Sequence, residues 1–284
     1  MFKLFDRLAE LEDIISELSE CRERVHAWGR MNRVSFDATK EHLVVMHPTE
    51  CHGLPFKLLG IMIDLDLRMH TAIDQLVAKI RLKSTAILRT RAYYTIRELI
   101  QQYKTHVWCL VELHCGGYFH AATTLLDKVD QVQRSFLHKL EVSESSAFLQ
   151  YNFAPTVLRR SIAILGLLHK RVLGQCHRSF NELLPWYADH AHRFDNPRDF
   201  GHDKRLYGHW LEAGEHRALF NRSIFGMIDI YNNLPQEIVD AKSVSTFQTL
   251  LTCKAKERCR QEVPLWEFSF CRRAGPDLNG PIIQ

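Results

Sequence analysis

Five cations, Lys79, Arg81, Lys83, Arg89 and Arg91, follow one another with no acid between the first and the last. Arg97 and Lys104 extend the run, and Glu98 is the one acid that opposes it. A surface of one sign suits contact with phosphates: each neutralised phosphate releases counterions, so binding weakens steeply with salt. Taken alone, the same run also describes a solvated helix face. Tyr93 and Tyr94 stand among the cations and have two readings. They stack on bases or sugars, or they cap the hydrophobic core where two helices meet.

Other residue types speak against metal chemistry. Asp64 and Asp66 follow an apolar strand at a turn. Two-metal catalysis needs carboxylates fixed at adjacent strand positions within an oxygen-rich shell. No Asp-Asp pair occurs in the chain, and Asp6 between Phe5 and Arg7 is no substitute. The chain holds 8 cysteines and 16 histidines. His106, His114, Cys115 and His120 form one cluster along the sequence, and His190, His192, His202 and His209 a second. Neither has the close ligand pair on a turn that a zinc site shows, so the expected metal complement is none. The cysteines form no Cys-x-x-Cys and are expected to stay reduced.

Bulk composition narrows the class further. With 284 residues, 46% of them hydrophobic and 25% charged, the chain can bury a sizeable core. Its 37 basic and 33 acidic residues leave a net charge of +4, too small to identify a partner by itself. No apolar run approaches the ~20 residues that cross a bilayer; the longest candidate is Ile162 to Leu168. Acids interrupt the opening MFKLFDRLAELEDII where a secretory signal needs an unbroken apolar stretch. The expected protein is intracellular, nuclear or cytoplasmic, neither secreted nor membrane-spanning.

These residues need elements to hold them. Phe5, Leu8, Leu11, Ile15, Leu18, Val25 and Trp28 mark the apolar stripe of a first helix. Val34 and Phe36 then alternate with polar residues, His42 to Met46 reads as a short strand, His47 to Gly53 as a turn, and Phe56 to Ile63 as the partner strand. Beyond these, four Ser/Thr-x-x-acid boxes announce helix starts: Thr71 with Asp74, Thr95 with Glu98, Thr124 with Asp127 and Ser179 with Glu182. Pro155 suits a first helical position before Val157, Leu158, Ile162, Ile164, Leu165, Leu167 and Leu168, a helix apolar nearly all round and expected at the centre. Asp195-Asn196-Pro197-Arg198 and Gly201 break the periodicity, and Arg272 to Gln284 reads as a frayed tail. The expected fold is mainly α (α+β): a small N-terminal hairpin or edge sheet with one helix, then a multi-helix region and a helical connector.

The order of these parts resembles the hand-over from palm to thumb in reverse transcriptases of LINE-type (non-LTR, jockey-like) retrotransposons. The residues that carry the resemblance begin with His26-Ala27-Trp28-Gly29, Asn32 to Phe36 and Thr39-Lys40. The strand Phe56-Lys57-Leu58-Leu59-Gly60 follows, then Leu99-Ile100 with Tyr103-Lys104, and Lys128-Val129 with Val132-Gln133-Arg134. Leu158-Arg159-Arg160 and, near the end, Tyr231-Asn232-Asn233-Leu234-Pro235 with Phe247 complete it, Tyr231 standing where that family commonly has Trp. The likeness spans residues 15 to 251, and its specificity lies in the order and spacing rather than in any one motif.

The resemblance implies a palm remnant over 1–68, a thumb and post-thumb domain over 69–190, a connector over 191–252 and a flexible tail over 253–284. It implies that Lys79, Arg81, Lys83, Arg89, Arg91, Tyr93, Tyr94, Arg97 and Lys104 grip an RNA/DNA primer–template duplex. It also implies a catalytic role for Lys40, beside the phosphates of an incoming nucleotide, where a cation offsets charge on the leaving pyrophosphate. The magnesium of that family has no Asp-Asp ligands here, so the chain alone is expected to bind without polymerising. An upstream palm segment is an expected further partner. The alternative reading is a helical protein-interaction scaffold with no nucleic-acid role, drawn from the apolar helices and the modest charge.

Overall fold

The computed structural model of the protein describes residues 10–47, 51–189, 202–208 and 217–271. It is mainly α-helical with one small two-stranded antiparallel sheet. Among the described residues no helix is long and apolar enough to cross a membrane. The chain divides into two compact units, residues 1–72 and 73–284, where the sequence reading set a boundary at 68.

In the first unit, helix α1 (Leu11–Met31) ends at Asn32, whose backbone N–H bonds to Trp28 O and Gly29 O. Gly29 lets the returning chain come close: Val34 N donates to Gly29 O at 2.8 Å, and a Cβ at Gly29 would press on the Phe36 ring. Strands β1 (Phe56–Leu58) and β2 (Ile61–Ile63) pair in register Phe56↔Ile63, Lys57↔Met62 and Leu58↔Ile61.

That pairing corrects the expected β region. Phe56 to Ile63 is a complete hairpin rather than one strand, and His42 to Met46 forms none, Val45 making only an isolated bridge to His52. The cause is Leu59-Gly60, with φ of +48° and +92°. Positive φ at both central residues is what a tight two-residue hairpin loop of the I′ kind requires. The segment therefore folds back on itself and uses its backbone groups internally.

Helix α2 (His70–Arg89) buries Ile73, Leu76, Val77, Ile80, Ser84 and Ile87 along one stripe. Helix α3 (Ile96–Tyr103) starts at the expected box: Glu98 N donates to Thr95 Oγ1, and Thr95 N donates to Glu98 Oε2 at 2.8 Å. The other three boxes cap nothing. Thr71 and Thr124 lie inside their helices, and no side-chain cap forms at Ser179. Caps instead come from Ser143, which accepts from Ser146 N, and Ser243, which accepts from Thr246 N. Neither has the acid three residues on, so the box pattern missed them.

After α3, the segment Lys104–Trp108 widens to a π-helical turn and passes into α4 (Cys109–Leu113) and α5 (Cys115–Tyr118). Helices α6 (Thr123–Lys139), α7 (Glu144–Tyr151) and α8 (Thr156–Val172) follow, with Pro155 at the cap immediately before α8. Short helices α9 (Ser179–Leu183), α10 (Arg217–Arg222), α11 (Ile228–Asn232) and α12 (Gln236–Val239) lead to α13 (Val244–Arg260). The tail expected from 253 does not begin there. Phe247, Leu251, Ala255 and Cys259 recur every four residues and are all buried, and Trp266 and Phe270 are buried beyond them. This apolar stripe extends the helix past 252 because it has a core to cover. Arg272 to Gln284 and the break at 195–201 lie outside the described residues.

Helix α8 takes the central place expected of it, burying Leu158, Ile162, Ile164, Leu165 and Leu168. Thr156, Arg160, Ser161, His169 and Arg171 of this helix are buried as well, and each has a hydrogen-bond partner. Arg160 donates twice to the Asp130 carboxylate, at 2.5 and 2.8 Å. The His169 ring stacks on Phe247 of α13 at 4.1 Å and bonds to both Tyr231 Oη and Ala241 O. Asn232 pairs with both backbone groups of Leu206. Tyr231 and Phe247 therefore meet in one cluster against His169 of α8, and Asn232 and Leu234 are buried as well.

Candidate nucleic-acid interface

The site is built on α2, and the rotation of that helix decides how its cations are displayed. Successive residues turn by about 100°. Lys79 and Lys83, four apart, stand on one flank of the buried stripe; Arg81 stands on the other, and Arg89 projects away from it. The cations cover the outward surface of the helix rather than forming a single row. Among the described residues none of Lys79, Arg81, Lys83, Arg89 or Arg91 has an ion-pair or hydrogen-bond partner for its side chain. Four cations elsewhere in the same unit are matched with acids: Lys128 with Asp74, Arg134 with Asp127, Arg159 with Glu112 and Arg160 with Asp130.

Past the end of α2, Tyr93 is 85% exposed and Tyr94 46% exposed. Of the two readings of this pair, that of a cap on the hydrophobic core fails for Tyr93, whose ring lies in solvent. Glu98 does not neutralise the run, because its carboxylate serves the α3 cap, and those bonds from the Thr95 backbone and hydroxyl hold it below the usual carboxylate range.

Arg97 and Lys104 are engaged internally. The Arg97 guanidinium lies over the Tyr151 ring, and Lys104 Nζ donates to Tyr151 O at 2.5 Å while sitting over the Trp108 ring. Burial, then the nearby Arg159 and Lys256, lower the Lys104 pKa from its ordinary value. Arg159 stacks on the same Trp108 ring at 3.8 Å. Trp108 closes the π-helical turn, and its Nε1 donates to Gln133 Oε1 at 3.0 Å. Lys104 thus belongs to a knot joining α3 to α7 rather than to the free cations of α2.

Lys40 lies in the first unit, at the end of a 3-10 turn (Ala38–Lys40), with its side chain 83% exposed and its Nζ 3.6 Å from Asp37. Asp64 is buried, and Asp66 pairs with Arg68 at 3.1 Å. Among the described residues no three of His, Cys, Asp and Glu come together to hold a metal ion. In the first histidine cluster Cys115 is buried, and burial pushes its thiol up to about 11, away from the thiolate a metal takes. In the second, His202 bonds to Tyr231 O, and His190, His192 and His209 lie outside the described residues.

Two features escaped the sequence reading. A groove of about 280 Å³ runs between α2 and α6, lined by Arg81, Ser84, Thr85 and Leu88 on one side and by Gln131, Ser135 and Lys139 on the other. Its signal lay in two helical spacings: Arg81, Ser84, Thr85 and Leu88 fall at i, i+3, i+4 and i+7, and Gln131, Ser135 and Lys139 at i, i+4 and i+8. Nothing in one sequence pairs those two faces. A recess of about 320 Å³ at the start of α6 has the opposite sign, with Asp127, Asp130, Glu144 and Glu267 on its walls.

Nothing matched this chain among protein-family models, curated proteins or solved structures.

Proposed function

We propose that this protein binds a polynucleotide duplex through the outward face of α2, as the thumb and connector of a LINE-type reverse transcriptase would hold its primer–template. The observation that supports this reading most is the set of five cations on and just after α2 that have no side-chain partner among the described residues. An exposed ion pair contributes little, so leaving a cation unpaired costs a helix almost nothing. Holding several unpaired on one element is the arrangement that counterion release rewards. The exposed Tyr93, beside Arg91, adds a face on which a base or sugar stacks.

Without an Asp-Asp pair the chain binds without polymerising, and a purified sample gives no magnesium-dependent primer extension. Duplex affinity falls with salt, with a log–log slope of about −0.9 for each phosphate neutralised. Exchanging Lys79, Arg81, Lys83, Arg89 and Arg91 for Glu abolishes binding at low ionic strength without lowering the melting temperature. Affinity unchanged by that exchange would overturn the reading in favour of a protein-interaction scaffold. The first unit supports the scaffold alternative, since it exposes Trp28, Met31, Leu54 and Leu59.

A further inference from the structure

The groove between α2 and α6 combines three properties that the phosphate reading of α2 alone does not use. Arg81 and Lys139 line it from opposite helices, and neither has an ion-pair partner among the described residues. Its remaining walls carry the hydroxyls of Ser84, Thr85 and Ser135, above an apolar floor of Val132 and Phe136. No carboxylate lines it: of the two acids on α6, Asp127 is held by Arg134 and by Gln131 Nε2, and Asp130 by Arg160.

The hydroxyls are the telling part. A Ser or Thr inside a helix either points to solvent or donates its hydroxyl to the carbonyl four residues back. Ser19, Thr105, Ser161, Thr249 and Thr252 all make that bond in this chain. Ser84, Thr85 and Ser135 do not, and they have no other side-chain partner among the described residues. Ser84 is 5% exposed and lines the groove, and Thr85 and Ser135 are exposed beside it. Ser84 Oγ keeps contact with solvent, so water serves it until an anion in the groove accepts its proton. Two cations with three free O–H donors, and no acceptor charge, form a site for a tetrahedral oxyanion.

We propose that this groove binds a phosphoryl oxyanion, with Arg81 and Lys139 donating to its oxygens from either side and Ser84, Thr85 and Ser135 donating through their hydroxyls. The proposal rests on the polynucleotide reading for the source of the phosphate. It adds Lys139 and the hydroxyls to the contact surface, and it puts the anion between two helices rather than along one.

The test uses the full chain in two arms, a short RNA–DNA duplex and inorganic phosphate, followed by duplex affinity and by backbone amide shifts. Lys139→Gln weakens duplex binding about tenfold, the loss of one charge-assisted hydrogen bond, and reduces the salt slope by about one. Ser84→Ala weakens it in the same direction and leaves the melting temperature unchanged, since no internal hydrogen bond is removed. Lys139→Arg restores binding. Phosphate shifts the amides of Ser84, Thr85 and Ser135 in the wild type and not in Lys139→Gln.

Duplex binding that survives Lys139→Gln and Ser84→Ala unchanged, yet fails when Lys79 and Lys83 become Gln, overturns the groove and leaves the polynucleotide reading standing. Amide shifts with phosphate but no duplex binding have the converse meaning: the groove stands as a site for a small phosphate, and the polynucleotide reading falls. A groove silent in both arms is not an anion site.

Discussion

His169 shows what a single buried side chain does for this fold. Its ring lies between Tyr231 Oη at 3.0 Å, Ala241 O at 2.8 Å and the face of Phe247, and both ring nitrogens are used. The neutral ring satisfies this geometry with one N–H donating to the carbonyl and the other nitrogen accepting from the phenol. Burial lowers its pKa, with Lys204 and His202 acting in the same direction, and the hydrogen bond to Ala241 opposes them. His202 is lowered for the same first reason. The sign follows from linkage. A histidine depressed in the fold binds fewer protons there than in the unfolded chain, so its stabilisation is full above the ordinary value of 6.5 and is lost as pH falls through the folded values. Thermal stability is therefore expected to decline once pH drops below about 6.5, with the His169 ring resonances titrating below that point in the same samples. Ring resonances titrating at or above the ordinary value would contradict this account of the core.

At the scale of the element, the capping boxes separate pattern from function. Thr95 and Glu98 form the reciprocal pair and start the helix that buries Leu99, Ile100 and Tyr103. Thr124 and Asp127 have the same spacing, yet α6 has already begun at Thr123, and Asp127 is held by Arg134 and Gln131. Thr95→Ala is expected to cost about 1 kcal/mol in urea unfolding. Thr124→Ala should stay within about 0.5 kcal/mol, as for other exposed positions. Equal losses at the two sites would mean that the hydroxyl at Thr95 contributes nothing specific. The Leu59-Gly60 turn teaches the same lesson: one dipeptide with positive φ converts an expected strand into a hairpin.

Across the whole molecule, apolar burial is distributed unevenly. The second unit holds the aromatic core of Tyr103, Phe136, Phe148, Phe153, Tyr231 and Phe247. In the first, Ile14, Phe56, Leu65, Met69 and Ala72 are the buried apolar residues among those described. Stability against local opening follows burial and enclosed hydrogen bonds. Amides of α1 and the β1–β2 hairpin are expected to exchange with solvent well before those of α6, α8 and α13. Protection in α1 equal to that in α8 would show that the first unit has support beyond its own core.

The sequence by itself determined the class of this fold, the central apolar helix and the α3 cap, because each depends on contacts within a few residues along the chain. Periodicity places Leu158 through Leu168 inside, and Thr95-x-x-Glu98 satisfies its own backbone donors. It also singled out the cations of α2, which local charge alone reveals. Tertiary structure decided which of them are free. Lys104 reads like Lys83 in sequence, but a partner 47 residues away, Tyr151 O, takes its ammonium group. The continuation of α13 past 252, the pairing of Arg160 with Asp130 and the meeting of Arg81 with Lys139 across one groove were likewise settled by packing between distant segments. No pattern along a single chain encodes which face of one helix another will meet, since that depends on the whole core being filled at once.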